Sequence, residues 1–76
     1  MNPLLLGTRE DVVGFALAGV AGAICNTADD VERAFSALKG DEIVILSPAA
    51  ALLASDRIAE MQKSARGPMF VILPAR

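Results

Sequence analysis

Four short apolar runs alternate along the chain with three segments of helical character, and each junction carries a recognisable turn or cap. Pro3-Leu4-Leu5-Leu6, closed by Gly7, predicts a strand buried on both faces. Thr8 then caps a helix predicted over residues 9–18, with Asp11 in a capping-box-like position and acids in the first turn that favour the helix dipole. Gly19 supplies a stop, and residues 20–25 read as a short second strand weakened by glycine. Asn26-Thr27 is the next turn and cap, with Asp30 again three residues on. Val31, Ala34, Phe35 and Leu38 follow at i, i+3, i+4 and i+7, the spacing of one helical face, before Lys39-Gly40. Residues 42–46 form a third strand whose Ile43, Val44, Ile45 and Leu46 are all apolar, as a central strand requires. Ser47-Pro48 opens a third helix expected to run to about residue 65, where Gly67-Pro68 breaks it. Residues 69–73 make a fourth buried strand before Pro74.

This β-α-β-α-β-α-β order predicts an α/β fold: a small four-stranded parallel sheet with right-handed crossovers and helices on both faces. The expected strand order is 2-1-3-4, as in flavodoxin-like and Rossmann-like doubly wound folds. With 76 residues the chain is expected to be a single domain, 1–76. A domain of this size buries only about 60% of the surface its unfolded chain exposes, so it usually needs a staple or a partner. A staple is missing, because Cys25 is the single cysteine and there is no histidine to complete a zinc site. A lone cysteine in an apolar stretch fits a reducing compartment and a buried, inert thiol.

Composition sharpens this picture. Hydrophobic residues reach 54% and mean hydropathy is +0.50, an excess over a usual apolar share of about 45–50%. A membrane span does not account for it. The charge-free run 12–25 is 14 residues long and contains three glycines, against roughly 20 residues needed to cross a bilayer. Arg9, Glu10 and Asp11 interrupt the N-terminal apolar run, and a basic leader region is absent, so a signal peptide is not expected. A soluble cytoplasmic protein with no membrane insertion is the expectation. Seven basic and nine acidic residues are scattered, for a net charge of −2, which argues against a nucleic-acid partner. Three Phe with no Tyr or Trp make a base-stacking platform equally unsuited.

In a doubly wound sheet, ligands sit beyond the carboxyl ends of the strands, here Gly7-Thr8 and Ser47-Pro48. Neither offers a nucleophile paired with a base. A phosphoacceptor aspartate would end the third strand in a receiver domain, and Ser47 stands there instead. Gly14, Gly19 and Gly22 are not spaced as G-x-G-x-x-G, and no G-K-[ST] occurs. The acids Asp29, Asp30 and Glu32 read as the first turn of the second helix, and Asp56 with Glu60 as a solvated face. No catalytic, cofactor-binding or metal-binding residue is therefore expected, and no cofactor. The alternative reading is a stand-alone flavodoxin-like module sensing a small anion or nucleotide at the two strand ends.

The first helix departs from the ordinary. Past Asp11 it carries no charged side chain, and Val12, Val13, Phe15 and Leu17 spread over roughly 200° of its circumference. Lying on one face of a sheet requires about half of that. Gly14 and Ala18 form a small-residue i,i+4 pair that admits another backbone closely. Gly14, Phe15, Ala16, Leu17 and Ala18 are accordingly the candidate partner interface.

Gly14-Phe15-Ala16-Leu17-Ala18-Gly19-Val20, preceded by Gly7-Thr8-Arg9-Glu10-Asp11, resembles the family of F-subunits of V-type (archaeal or vacuolar-type) ATPases and ATP synthases. Ile43-Val44-Ile45-Leu46, Ser55-Asp56-Arg57-Ile58-Ala59 and Phe70-Val71-Ile72-Leu73-Pro74 extend the resemblance over nearly the whole chain. The resemblance implies a non-catalytic component of the rotor's central stalk. Such a protein docks on the coiled coil of the stalk's D-subunit and helps couple ATP hydrolysis or synthesis to proton or sodium transport. Its location would be cytoplasmic, peripheral to the membrane, within the ATPase complex. Two departures from the family pattern stand out. Ala16 occupies a position that is basic in many members, and the expected domain, 1–76, is without the C-terminal extension common in the family.

Overall fold

The computed structural model describes residues 2–63 and 67–74. Strands β1 (Asn2–Gly7), β2 (Ala21–Ile24), β3 (Glu42–Leu46) and β4 (Met69–Ile72) form one parallel sheet in the order β2-β1-β3-β4. The expected α/β fold and strand order are thus present. Four helices connect the strands: α1 (Arg9–Leu17), α2 (Ala28–Ser36), α3 (Pro48–Leu53) and α4 (Ser55–Gln62).

The register sorts side chains into rows that cross the sheet, because paired residues point to the same face. One face carries Leu4 and Leu6 of β1 beside Val44 and Leu46 of β3. Helices α2, α3 and α4 close over it. Leu6, Val44 and Leu46 pack there with Val31 and Phe35 of α2, Ala50 of α3, Ala54, and Ile58 of α4. Phe35 also stacks on Phe70 of β4, with ring centroids 5.8 Å apart and planes inclined by 15°. At this separation the pair adds about 0.5–1.5 kcal/mol beyond its area burial. Across the elements, Arg57 of α4 reaches Glu32 of α2 at 3.4 Å.

Among the described residues, the opposite face is covered by α1 alone. This helix packs on β1 and β2, where the Val12 methyl groups lie over Gly22 and Leu5 is completely buried. The asymmetry follows from connectivity. A right-handed crossover from β1 out to β2 places α1 on one face, and the reversed step from β2 across β1 to β3 places α2 on the other. The onward step to β4 keeps α3 and α4 with α2.

The caps form as the spacing predicts. Thr8 Oγ1 accepts from the Asp11 backbone N–H at 3.3 Å and donates to Asp11 Oδ2 at 3.0 Å. Thr27 and Asp30 make a full capping box, in which the Asp30 carboxylate accepts from the Asn26 and Thr27 backbone N–H groups. Helix α1 ends in a Schellman arrangement. Val20 donates to Phe15 C=O and Gly19 to Ala16 C=O, both at 3.0 Å, with Gly19 at φ 85°. The first and second helices stop at Leu17 and Ser36, and the strands at residues 20–25 and 69–73 are trimmed to Ala21–Ile24 and Met69–Ile72.

The single long third helix is corrected by the structure. It divides at Ala54, whose backbone sits at φ −102°, ψ 5°, into α3 and α4, and the remainder of the expected span, 64–65, lies outside the described residues. Ala50, Ala54 and Ile58, spaced i, i+4 and i+8, all remain in the core across this break and keep one apolar stripe on the sheet. Ser55 and Asp56 favour the start of a helix over its interior, which suits a break at this point.

Candidate functional site

Of the five interface candidates, Gly14, Ala16, Leu17 and Ala18 are exposed and Phe15 is half-buried. No residue of α1 is fully buried, whereas α2 buries Val31 and Phe35. The expectation that α1 is more apolar than its seat requires therefore holds in three dimensions. Leu17 is 88% exposed and Val13 54%.

The structure brings three of the five candidates together. Gly14, Phe15 and Ala18 line a shallow groove of about 310 Å³ along one flank of α1, with Glu10 and Asp11 at its N-terminal end. Ala16 and Leu17 do not line it. Phe15, Glu10 and Asp11 also border a second cavity of about 510 Å³ at the carboxyl edge of the sheet, where they meet Ser47, Leu73 and Pro74. Glu10, Asp11 and Phe15 on this flank thus meet the residues that follow β3 and β4.

That second cavity occupies the place predicted for a ligand, and its chemistry can be read directly. Thr8 and Ser47 line it, but each hydroxyl caps its own helix, Ser47 Oγ accepting from Ala50 N at 3.2 Å. Gly7 allows the two loops to close up: a Cβ there would lie 3.2 Å from Asp11 Oδ2 and 3.3 Å from Ser47 Cβ. Among the described residues, the charged side chains that line the cavity are Glu10 and Asp11, both carboxylates, and they oppose a phosphate or other anion. Among the described residues no group of three or more His, Cys, Asp or Glu is placed to hold a metal ion. Cys25 is buried, and burial with the nearby Asp30 carboxylate raises its pKa, so the thiol is held away from the thiolate form.

The sheet itself contributes surface that sequence reasoning missed. On the α1 face, the row through Leu5 continues to Ile45 and Val71, and the neighbouring row runs through Pro3, Ile43 and Met69. Exposure rises along the first row from zero at Leu5, through a half-buried Ile45, to 43% at Val71. Met69 is 55% exposed. The half of this face above β3 and β4 thus has no helix over it among the described residues. The handedness rule carried a usable signal: three crossovers with one reversal leave a single helix on one face of four strands.

Architecture and surface together define a flavodoxin-like parallel α/β domain with exposed apolar side chains on α1 and the sheet. Comparison with known families then gives its place: the family model described as ATP synthase (F/14-kDa) subunit matches residues 4–76, and the chain belongs to this family, that of the V-type ATPase F-subunits. It is accordingly a component of a V-type ATPase, associated with the other subunits of that complex. No curated protein matches the chain, and no solved structure does. Among the described residues, no helix is long and apolar enough to cross a membrane.

Proposed function

We propose that this chain is a non-catalytic central-stalk component of a V-type or A-type rotary ATPase or ATP synthase. In this reading it is cytoplasmic and peripheral to the membrane. It docks on the coiled coil of the stalk's D-subunit and helps couple ATP hydrolysis or synthesis to proton or sodium transport. The observation that carries the reading is the family match over residues 4–76. The surface suits a docking role, because exposed Val13, Leu17, Met69 and Val71 give a 76-residue domain apolar area that a partner would cover. A module sensing an anion finds less support, since Glu10 and Asp11 line the cavity where the anion would sit.

The test is direct. Calorimetric titration of the chain with the stalk coiled-coil protein of the same complex should show one-to-one binding, and omitting the chain from a reconstituted complex should lower the yield of ion transport per ATP hydrolysed. No binding to that coiled coil, together with unchanged coupling on omission, would remove the stalk assignment.

A further inference from the structure

Helix α1 is held to the fold differently from the other helices. Each of α2, α3 and α4 sends at least one side chain fully into the core: Val31 and Phe35 from α2, Ala50 from α3, and Ile58 from α4. No residue of α1 is fully buried. Its hold on the sheet consists of the Val12 methyl groups over Gly22 and a half-buried Phe15, beside the buried Leu5 of β1. Its own sequence adds little. A helix of nine residues is too short to persist in water unaided, where even about 12–15 residues are marginal. Its middle is Val12-Val13-Gly14-Phe15: three side chains that lose rotamer freedom against the preceding turn, and a glycine, the poorest helix former after proline. Nothing within the chain requires that glycine, since no atom lies within 4 Å of its Cβ position and its φ is not positive. Only the ends are well made, by the Thr8 cap and the Schellman turn at Gly19.

We propose that α1 is a labile helix, which opens over residues 9–17 while the sheet and α2 stay folded. The architecture permits this. Because α1 lies on the face opposite the other helices, its departure leaves the cluster of Leu6, Val31, Phe35, Val44, Leu46 and Ile58 intact. Strands β1 and β2 stay paired from Leu4 with Ala21 to Gly7 with Ile24, so the ladder is not broken. Opening exposes Leu5, Val12 and Phe15, and it returns conformational entropy to nine residues. The interface candidates Gly14, Phe15, Ala16, Leu17 and Ala18 lie on this helix or at its C-cap, so the surface offered to a partner is one whose population binding can shift. The proposal concerns the chain alone and stands whether or not the stalk reading does.

The test is native-state amide hydrogen exchange, followed by NMR on the full chain in low concentrations of urea. Amides of α1 from Val12 to Leu17 should be protected at least about tenfold less than those of β1, β3 and α2. Their exchange should depend little on urea, because a small opening exposes little surface. Two conservative variants separate local from global opening. Ile58→Val, on the far face, lowers global stability and should speed exchange in β1, β3 and α2 by about 2- to 10-fold, with α1 unchanged within about twofold. Gly14→Ala should slow the α1 amides by about four- to fivefold, the helix-propensity difference expressed as a rate. If the α1 amides match β1 in protection and urea dependence, or follow Ile58→Val by the same factor as the core, the helix leaves only with the whole fold and the proposal is overturned. Rates in α1 that do not respond to Gly14→Ala would overturn it as well, because helix formation would then not be what protects them.

Discussion

Two glycines, one in the middle of α1 and one just past its end, should respond to alanine with opposite signs. Gly14 lies inside the helix, is exposed, and has nothing within 4 Å of the position a Cβ would take. Gly14→Ala therefore meets no steric cost and should stabilise the fold by about 0.8–1 kcal/mol, the propensity difference between the two residues. Gly19 also has open space around its Cβ position, but its φ of 85° is in the left-handed region. Gly19→Ala sets a left-handed penalty of about 1–2 kcal/mol against a smaller gain from restricting the unfolded chain, for a net loss of about 1 kcal/mol. The two variants should then differ by about 2 kcal/mol, which for a domain of this size separates their Tm values by about 8–16 °C. Far-UV circular dichroism during thermal and urea unfolding is the appropriate assay, since the chain has no Trp or Tyr to report by fluorescence. Shifts of the same sign would refute the reasoning, because steric room is equal at the two sites and only backbone conformation distinguishes them.

Phe35→Ala should cost about 3–5 kcal/mol, which is comparable with the whole stability of about 4–11 kcal/mol for a 76-residue domain, so loss of cooperative unfolding near room temperature is the expected readout. Retention of a wild-type transition would place Phe35 outside the core. Asp30 gives a pH dependence with a definite sign. Its pKa is lowered, first by the Asn26 backbone N–H, with Thr27 and Arg33 adding to the effect. A group whose folded pKa is depressed contributes stability above its unfolded value, and that contribution disappears as pH falls through the folded pKa, below the usual 3.8. Asp30→Asn should flatten the acid limb of a stability–pH profile, and an unchanged limb would count against the capping box. Cys25 should resist alkylation at pH 8 in the native state and react at the rate of a free thiol in urea. Equal rates in the two states would show that the thiol is accessible in the fold.

Much of the fold was written in local patterns. The caps at Thr8, Thr27 and Ser47, the inward face of α2 and the turn at Gly19 each depend on residues within a few positions of one another, so spacing alone specifies them. The strand order was expected by analogy with flavodoxin-like folds, and the sheet has it. The excess apolarity of α1 was legible because it is a property of one contiguous segment. The break at Ala54 was not, because alanine-rich sequence is compatible with a straight helix. Nor could composition tell which candidates face one another: Gly14, Phe15 and Ala18 share a flank with Glu10 and Asp11, and Ala16 and Leu17 fall outside it. Ile43, Ile45, Met69 and Val71 read in the sequence as core of a buried sheet. That they lie partly or largely open was decided only by tertiary structure, because burial of a strand depends on which helices the crossovers deliver to each face, and here, among the described residues, one face receives only α1.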